Sequence, residues 1–323
     1  MDAQDGADLC FPQLINTSCK KPASPEFQRL LLHIVMSFLS LVTVVLNLLV
    51  IISVSHFRKL QTPTNILLLS LAVSDCLVGL VMTPGHILTQ RPCWFLGILP
   101  CSLYHYTSFI ITSASVGNMV LISVDRYVAI CDPLHYPTRV TERRVKLWVC
   151  LCWLGSVLYN ILFIKAQLGS QYSCYGECLL NVELIGGTVD LVFTFILPVS
   201  VIIVLYLRVF VVAVSQARAM RSHTAAVTLQ LSVNSSTKKS ELKAARTLGI
   251  VVLVFLMCFC PYYCVSLAGG SEFYTFLVSC ILYCNSCLNP VIYAMFYPWF
   301  RKAIKLIVTL QILQPDSREA NML

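Results

Sequence analysis

The sequence predicts an all-α membrane protein, a seven-transmembrane helix bundle with a short amphipathic eighth helix. Three observations predict it. Of the 323 residues, 57% are hydrophobic and only 12% charged, with a mean hydropathy of +0.77; a soluble domain carries roughly 25% charged residues. Apolar windows of spanning length recur seven times, at about 30–54, 65–88, 103–131, 147–164, 188–214, 247–267 and 273–296. The basic residues complete the case, because cytoplasmic segments are enriched in Lys and Arg. With the N-terminus outside, 18 of the 23 fall on the cytoplasmic side, leaving only Lys20, Lys21, Arg29, Arg91 and Lys165. Topology therefore accounts for the net charge of +8, and nucleic acid is set aside as a partner.

The chain divides into an extracellular N-tail (1–28), the bundle (29–296), an amphipathic helix (297–308) and a cytoplasmic tail (309–323). No h-region precedes residue 29, so the first span is expected to serve as the insertion signal for a multi-pass protein of the plasma membrane. Of the sixteen cysteines, Cys10, Cys19, Cys93, Cys101, Cys174 and Cys178 fall outside. An even number in an oxidising compartment points to bridges. The other ten lie in or near spans and read as small apolar filler, with no metal-ligand context.

In chain order, the N-tail carries Asn16-Thr17-Ser18, a glycosylation acceptor on the lumenal side. The first span holds Asn47 and the second Asp75, an intramembrane carboxylate of the kind that is expensive and usually functional. The third span runs from Cys101 to Asp125-Arg126-Tyr127, about 37 Å at helical rise, so its polar ends lie in different compartments. Ser108, Phe109, Thr112 and Ser115 sit along its outer half, either facing a bundle interior or as ordinary Ser/Thr packing.

The fourth span holds Trp153, and an outer loop follows with Cys174-Tyr175-Gly176-Glu177-Cys178. In the fifth, Asp190, Thr194 and Pro198 step by four and so share a helical face, with Tyr206 further in. Residues 217–240 are rich in Ser, Thr and Lys and read as a mobile loop open to phosphorylation. Glu241 to Arg246 then lead into the sixth span, where Pro261 makes a bend able to act as a hinge beside Phe255, Phe259, Tyr262 and Tyr263. The seventh ends Asn285-Ser286-Cys-Leu-Asn289-Pro290-Val-Ile-Tyr293. Tyr297-Pro298-Trp299-Phe300-Arg301-Lys302 then suits a helix lying on the membrane lipid of the inner face.

Seven spans, Asp125-Arg126-Tyr127, a proline in each of the last three spans and Asn289-Pro290-x-x-Tyr293 together resemble the rhodopsin-like G-protein-coupled receptors. Asn285-Ser286-x-x-Asn289-Pro290-x-x-Tyr293-x-x-x-Tyr297-x-Trp299-Phe300 narrows the resemblance to the trace-amine-associated receptors, supported by DRYVAICDPLHYPTRVT from Asp125 to Thr141. The resemblance implies a small amine ligand, a stimulatory heterotrimeric G protein with cyclic AMP as output, arrestin and receptor kinases as further partners, and an olfactory role. It also implies Cys101–Cys178 and Cys19–Cys174 bridges, leaving Cys10 to Cys93 by elimination. Arg126 is expected to be held by Asp125 and Glu241 until the sixth helix swings on Pro261 and frees it toward Tyr206 and Tyr293. Asn47, Asp75, Ser115, Asn285 and Asn289 resemble the family's internal network of water and an allosteric sodium ion, a set of hard oxygen ligands; no other cofactor is expected.

One departure redirects the reading. The family's usual amine anchor is an aspartate where this chain has Ser108, and a hydroxyl cannot neutralise an ammonium. Asp190 stands at a position where some members, notably in fishes, carry an acid. The expected pose is therefore inverted, with the ammonium on Asp190 and the apolar part toward Ser108, Thr112, Phe259, Tyr262, Tyr263 and Tyr283. The alternative has Asp190 reaching outer water as a helix-start charge. Phe259 also replaces a tryptophan, Leu46 a glycine, and Cys280 a frequent tryptophan. A second function remains open, a non-amine ligand or one carried by Glu177, Glu183 or Glu272. A transporter or channel would predict internal repeats, which are not visible, and no nucleophile–base set supports an enzyme.

Overall fold

The computed structural model describes residues 9–14, 17–21, 26–167, 174–178, 184–224, 232–268 and 272–322, with residues 26, 28, 29, 164–167, 184, 216–224, 232–246, 266, 272 and 273 described by their backbone alone. Asn16 and Glu183 lie outside the described residues, and Glu241 and Glu272 outside the described side chains. Seven described helices are long and apolar enough to cross a membrane. They are α1 (Glu26–His56), α2 (Pro63–Thr89), α3 (Ile98–Cys131), α4 (Glu142–Gln167), α5 from Leu184 to Thr224, α6 (Ser232–Ala268) and α7 (Glu272–Phe296). An eighth helix, α8 (Pro298–Val308), follows after one extended residue, Tyr297. The described residues form no strand, only two isolated β-bridges, Leu9 with Lys20 and Ser18 with Tyr175.

The axis of the bundle is α3, which packs against α2, α4, α5 and α6. Sequence sets which helices are central. The most apolar window of α2 is 72% buried, whereas those of α4 and α5 are each 17% buried; the latter therefore leave Leu151, Leu154, Leu158, Val204 and Leu207 exposed at the bundle's perimeter. In hydrocarbon these side chains cost nothing, so helix association rests on close packing and polar contacts. Gly79 shows the point, because a Cβ there would stand 2.8 Å from Val44 Cγ2 and 3.0 Å from the Ser40 carbonyl. The Ser40 hydroxyl uses that closeness to donate to the Gly79 carbonyl at 2.6 Å.

Two helices carry a wide π turn just before a proline, Val78–Met82 ahead of Pro84 and Val192–Ile196 ahead of Pro198. A proline ring clashes with the carbonyl four residues back, and an extra residue in the turn relieves it. The turn in α5 changes the expected register. Thr194 still donates to the Asp190 carbonyl at 2.7 Å, but the strict four-step to Pro198 is interrupted.

The stretch 217–240, expected as a loop, is largely helical. α5 continues to Thr224, through Ala217, Arg218, Ala219, Met220 and Arg221, which favour helix, and α6 begins at Ser232 with no proline or glycine before Gly249 to break it.

At one end of the bundle three disulfides converge, Cys10–Cys93, Cys19–Cys174 and Cys101–Cys178. The first fixes the pairing that elimination alone suggested. Backbone bonds knit the same cap, with Tyr175 donating to Thr17 at 2.7 Å and Trp94 to Gly176 at 2.9 Å. Gly176 has φ 108°, and a Cβ there would meet the Cys10 side chain, so both conformation and space call for glycine.

Candidate functional site

Three groups of polar side chains lie along the bundle. The first is near the disulfide-bridged end. Asp190, in the first turns of α5, is half-buried and accepts a hydrogen bond from the Tyr159 hydroxyl of α4 at 3.1 Å. Tyr263 of α6 lies within electrostatic reach of the same carboxylate and stacks on Phe195 at 4.1 Å between centroids. Among the described residues no Lys, Arg or His forms an ion pair with Asp190. Asp190 thus sits half-buried beside tyrosines of α4 and α6.

The remaining predicted pocket residues spread from this acid in two directions. Tyr159 stacks on Phe163 at 6.1 Å, and Phe163 meets Phe109 edge-on at 5.7 Å. Tyr263 contacts Tyr262 at 5.5 Å, and Tyr262 lies within reach of Tyr104 and Tyr283. The buried Ser108 hydroxyl faces Tyr104, and Tyr283 packs on His86 at 5.5 Å. Phe259 lies deeper, fully packed on Phe255 at 4.2 Å, while Thr112 is half-buried on α3. Cys280 puts its sulfur 3.5 Å from Met36 Sδ. The structure therefore brings Asp190, Thr194 and Tyr263 into one cluster and Ser108 with Tyr283 into another, bridged by Tyr262.

Tyr104, Tyr159, Phe163, Phe195 and His86 are additions to the predicted set. Tyr104 was within reach of sequence reasoning, being four residues before Ser108 on one helical face. Tyr159 was not, since its role depends on how α4 meets α5.

The second group lies at mid-bundle. Asp75 is wholly buried and accepts from Asn289 Nδ2 at 2.8 Å. Asn47 donates to the carbonyls of Thr43 and Ser286, each at 2.9 Å. This leaves Asp75 Oδ1, Asn47 Oδ1, Ser115 Oγ, Asn285 Oδ1 and Asn289 Oδ1 buried with no protein partner. Unpartnered oxygens of this hard type, a carboxylate among them, are chemically suited to a small hard cation such as sodium and its waters. Beside them Ser70 donates to Asn118 Oδ1 at 2.8 Å and accepts from Trp153 Nε1 at 3.1 Å.

The third group lies at the opposite end. Arg126 and Asp125 pair at 2.5 and 3.0 Å while only 5% and 0% exposed. Thr64 accepts from Arg126 at 2.6 Å and donates to Asp125 at 3.0 Å, and the Tyr136 hydroxyl donates to Asp125 Oδ1 at 2.8 Å. Burial and the adjacent carboxylate push Tyr136 up to about 12, so it stays a donor at neutral pH. Tyr127, the third residue of the triplet, faces away toward Ile130 and Val209. Tyr206 and Tyr297 lie within electrostatic reach of Arg126. Their hydroxyls and that of Tyr293 are buried without a protein partner; burial pushes Tyr297 up to about 12. Pro261 and Pro290 lie inside α6 and α7.

Two clusters near the cap, Cys101 with His105 and Cys178, and Cys19 with Cys174 and Glu177, have the proximity of metal ligands, but their sulfurs are spent in disulfides and offer no thiolate.

A bundle of this order, with a buried Asp-Arg pair at one end and an acid among aromatic rings at the other, has the form of a membrane receptor. The family model of the seven-transmembrane receptors of the rhodopsin family matches residues 46–293, and the chain belongs to that family, which comprises receptors and not enzymes. Within it the chain is 38% identical to trace amine-associated receptor 13c of Danio rerio, over 98% of this chain and 97% of that protein. It is 37% identical to trace amine-associated receptor 7e of Mus musculus, over 98% and 92%, and 35% identical to trace amine-associated receptor 1 of the same species, over 90% and 92%. These likenesses put it on the trace amine-associated branch.

Proposed function

We propose that the chain is a plasma-membrane receptor for a small amine, with its N-terminus outside, and that the ligand's ammonium pairs with Asp190. The observation that carries this reading is the half-buried Asp190 carboxylate, held by Tyr159 and flanked by Tyr263, with no cation of the described protein paired to it. A carboxylate in such surroundings favours a cationic partner, and the rings add cation–π attraction. Ser108 supplies no charge, so the apolar part of the ligand lies on its side of the pocket, toward Thr112, Tyr262 and Tyr283. Glu177 is exposed and sits beside the Cys19–Cys174 bridge in the cap, which removes it as a pocket acid.

Binding of the amine across α4, α5 and α6 would shift α6 about Pro261 and release Arg126 toward Tyr206 and Tyr293, admitting a stimulatory G protein and raising cyclic AMP. Glu241 is the second expected holder of Arg126, with arrestin and receptor kinases acting on the released state. The five unpartnered oxygens of the mid-bundle group, that of Asp75 among them, hold sodium in the resting state. Glycosylation at Asn16 and an olfactory role follow from the family likeness and the proposed orientation.

The test is cyclic AMP accumulation in cells expressing the chain, challenged with a panel of mono- and diamines. The wild type responds to at least one amine, and Asp190→Ala and Asp190→Asn abolish that response at unchanged surface expression. Responses that persist in both variants overturn the anchor.

A further inference from the structure

The segment after α8 does not trail away from the bundle. Leu310 and Asp316 take left-handed backbone conformations, φ 57° and 64°, and these two reversals turn the chain back through two short 3-10 turns, Gln311–Leu313 and Ser317–Glu319. The returning chain reaches the turn between α1 and α2. His56 Nε2 lies 3.0 Å from Ser317 Oγ, which also donates to the Ile312 carbonyl at 2.7 Å. Arg58 Nη1 meets Glu319 Oε1 at 3.3 Å. Three residues later Met322 is 1% exposed and belongs to the same apolar cluster as Phe57, Leu60, Phe300 and Ala303, with Ile312 and Ala320 packed against it.

We propose that residues 317–322 are a cis-acting peptide ligand for a seat built by the α1–α2 turn and α8, and that this docking covers the seat against other proteins. The two kinds of contact do different work. The Arg58–Glu319 pair is 69% exposed on both sides and contributes little binding on its own; it fixes register. Met322 is the anchor, because a thioether so completely enclosed replaces water over a complementary apolar surface. The seat therefore reads a carboxylate followed three residues later by a flexible apolar side chain. A cytoplasmic protein recognising this face must carry the same pattern and displace a segment that, being tethered, competes at high effective concentration.

Zero-length crosslinking of the full chain tests this without reference to ligand or G protein. In the purified Arg58→Lys variant, carbodiimide should join the introduced amine to the Glu319 carboxyl as an amide with loss of water. Peptide mass spectrometry maps the product and distinguishes it from a crosslink through the neighbouring Lys59. Glu319→Gln in that background removes the product. Met322→Asp, which leaves both reacting groups in place, should lower its yield at least about fivefold with receptor expression unchanged. Absence of the crosslink between position 58 and Glu319 in the Arg58→Lys variant, or a yield indifferent to Met322→Asp, overturns the proposal.

Discussion

The two ends of the bundle each hold a carboxylate in apolar surroundings, and they treat it oppositely. At the end opposite the disulfides, the inner one on the proposed orientation, Asp125 is fully buried and has its cation built in, with bonds from Arg126, Thr64 and Tyr136 satisfying both oxygens. At the disulfide-bridged end Asp190 is only half-buried, takes one phenol hydrogen bond from Tyr159, and is paired with no cation among the described residues. A buried charge demands a partner. On the proposed reading, the chain supplies it where a resting state has to be held and withholds it where a ligand supplies it.

The largest expected effect breaks the outer half of the comparison. Removing the Asp190 carboxylate leaves a desolvated ammonium unpaired, a loss of about 3–5 kcal/mol, so amine potency measured by cyclic AMP should fall at least about a hundredfold in Asp190→Ala. At the inner end Asp125→Asn strips Arg126 of its counter-charge and destabilises the resting state by about 3 kcal/mol; ligand-free cyclic AMP should rise well above that of the wild type at equal expression. Tyr136→Phe removes one hydrogen bond to a charged oxygen, about 1.5–3 kcal/mol, and should raise basal signal by less than Asp125→Asn does. Smallest is Tyr159→Phe. Loss of one phenol bond from the half-buried Asp190 carboxylate, about 1.5 kcal/mol, should shift amine potency about tenfold and leave basal signal unchanged, since Tyr159 lies at the other end of the bundle from Arg126.

The inner end was legible in the sequence because its parts are adjacent or carried on fixed motifs. Asp125 and Arg126 are neighbours, and Asn289 to Tyr293 sit one turn apart, so a linear pattern places them. Thr64 and Tyr136, which complete the pairing, come from the start of α2 and from the short Tyr136–Arg139 helix, and no spacing rule points to them. The outer end was legible only in part. Asp190 announces itself as an intramembrane acid, but Tyr159 and Phe163 join it through the packing of α4 on α5, a tertiary fact. The wide turns before Pro84 and Pro198 were hidden for the same reason that four-residue spacing misled in α5, because a proline permits either a kink or a π turn and the local sequence does not choose. The return of residues 309–322 depends on left-handed Leu310, a residue type that rarely takes that conformation, and left-handed Asp316, one that takes it more readily; neither says what the returning chain packs against, so the docking was not legible.

Moving the charge tests the central claim most directly. In the double variant Ser108→Asp, Asp190→Asn a carboxylate passes from α5 to α3 while net charge is preserved. The account predicts that cyclic AMP responses to amines, absent in Asp190→Asn alone, return in the double variant with a changed order of preference among amines, because the ammonium now sits on the opposite wall. An amine response in Asp190→Asn equal to that of the wild type, with Ser108→Asp adding nothing, would contradict it.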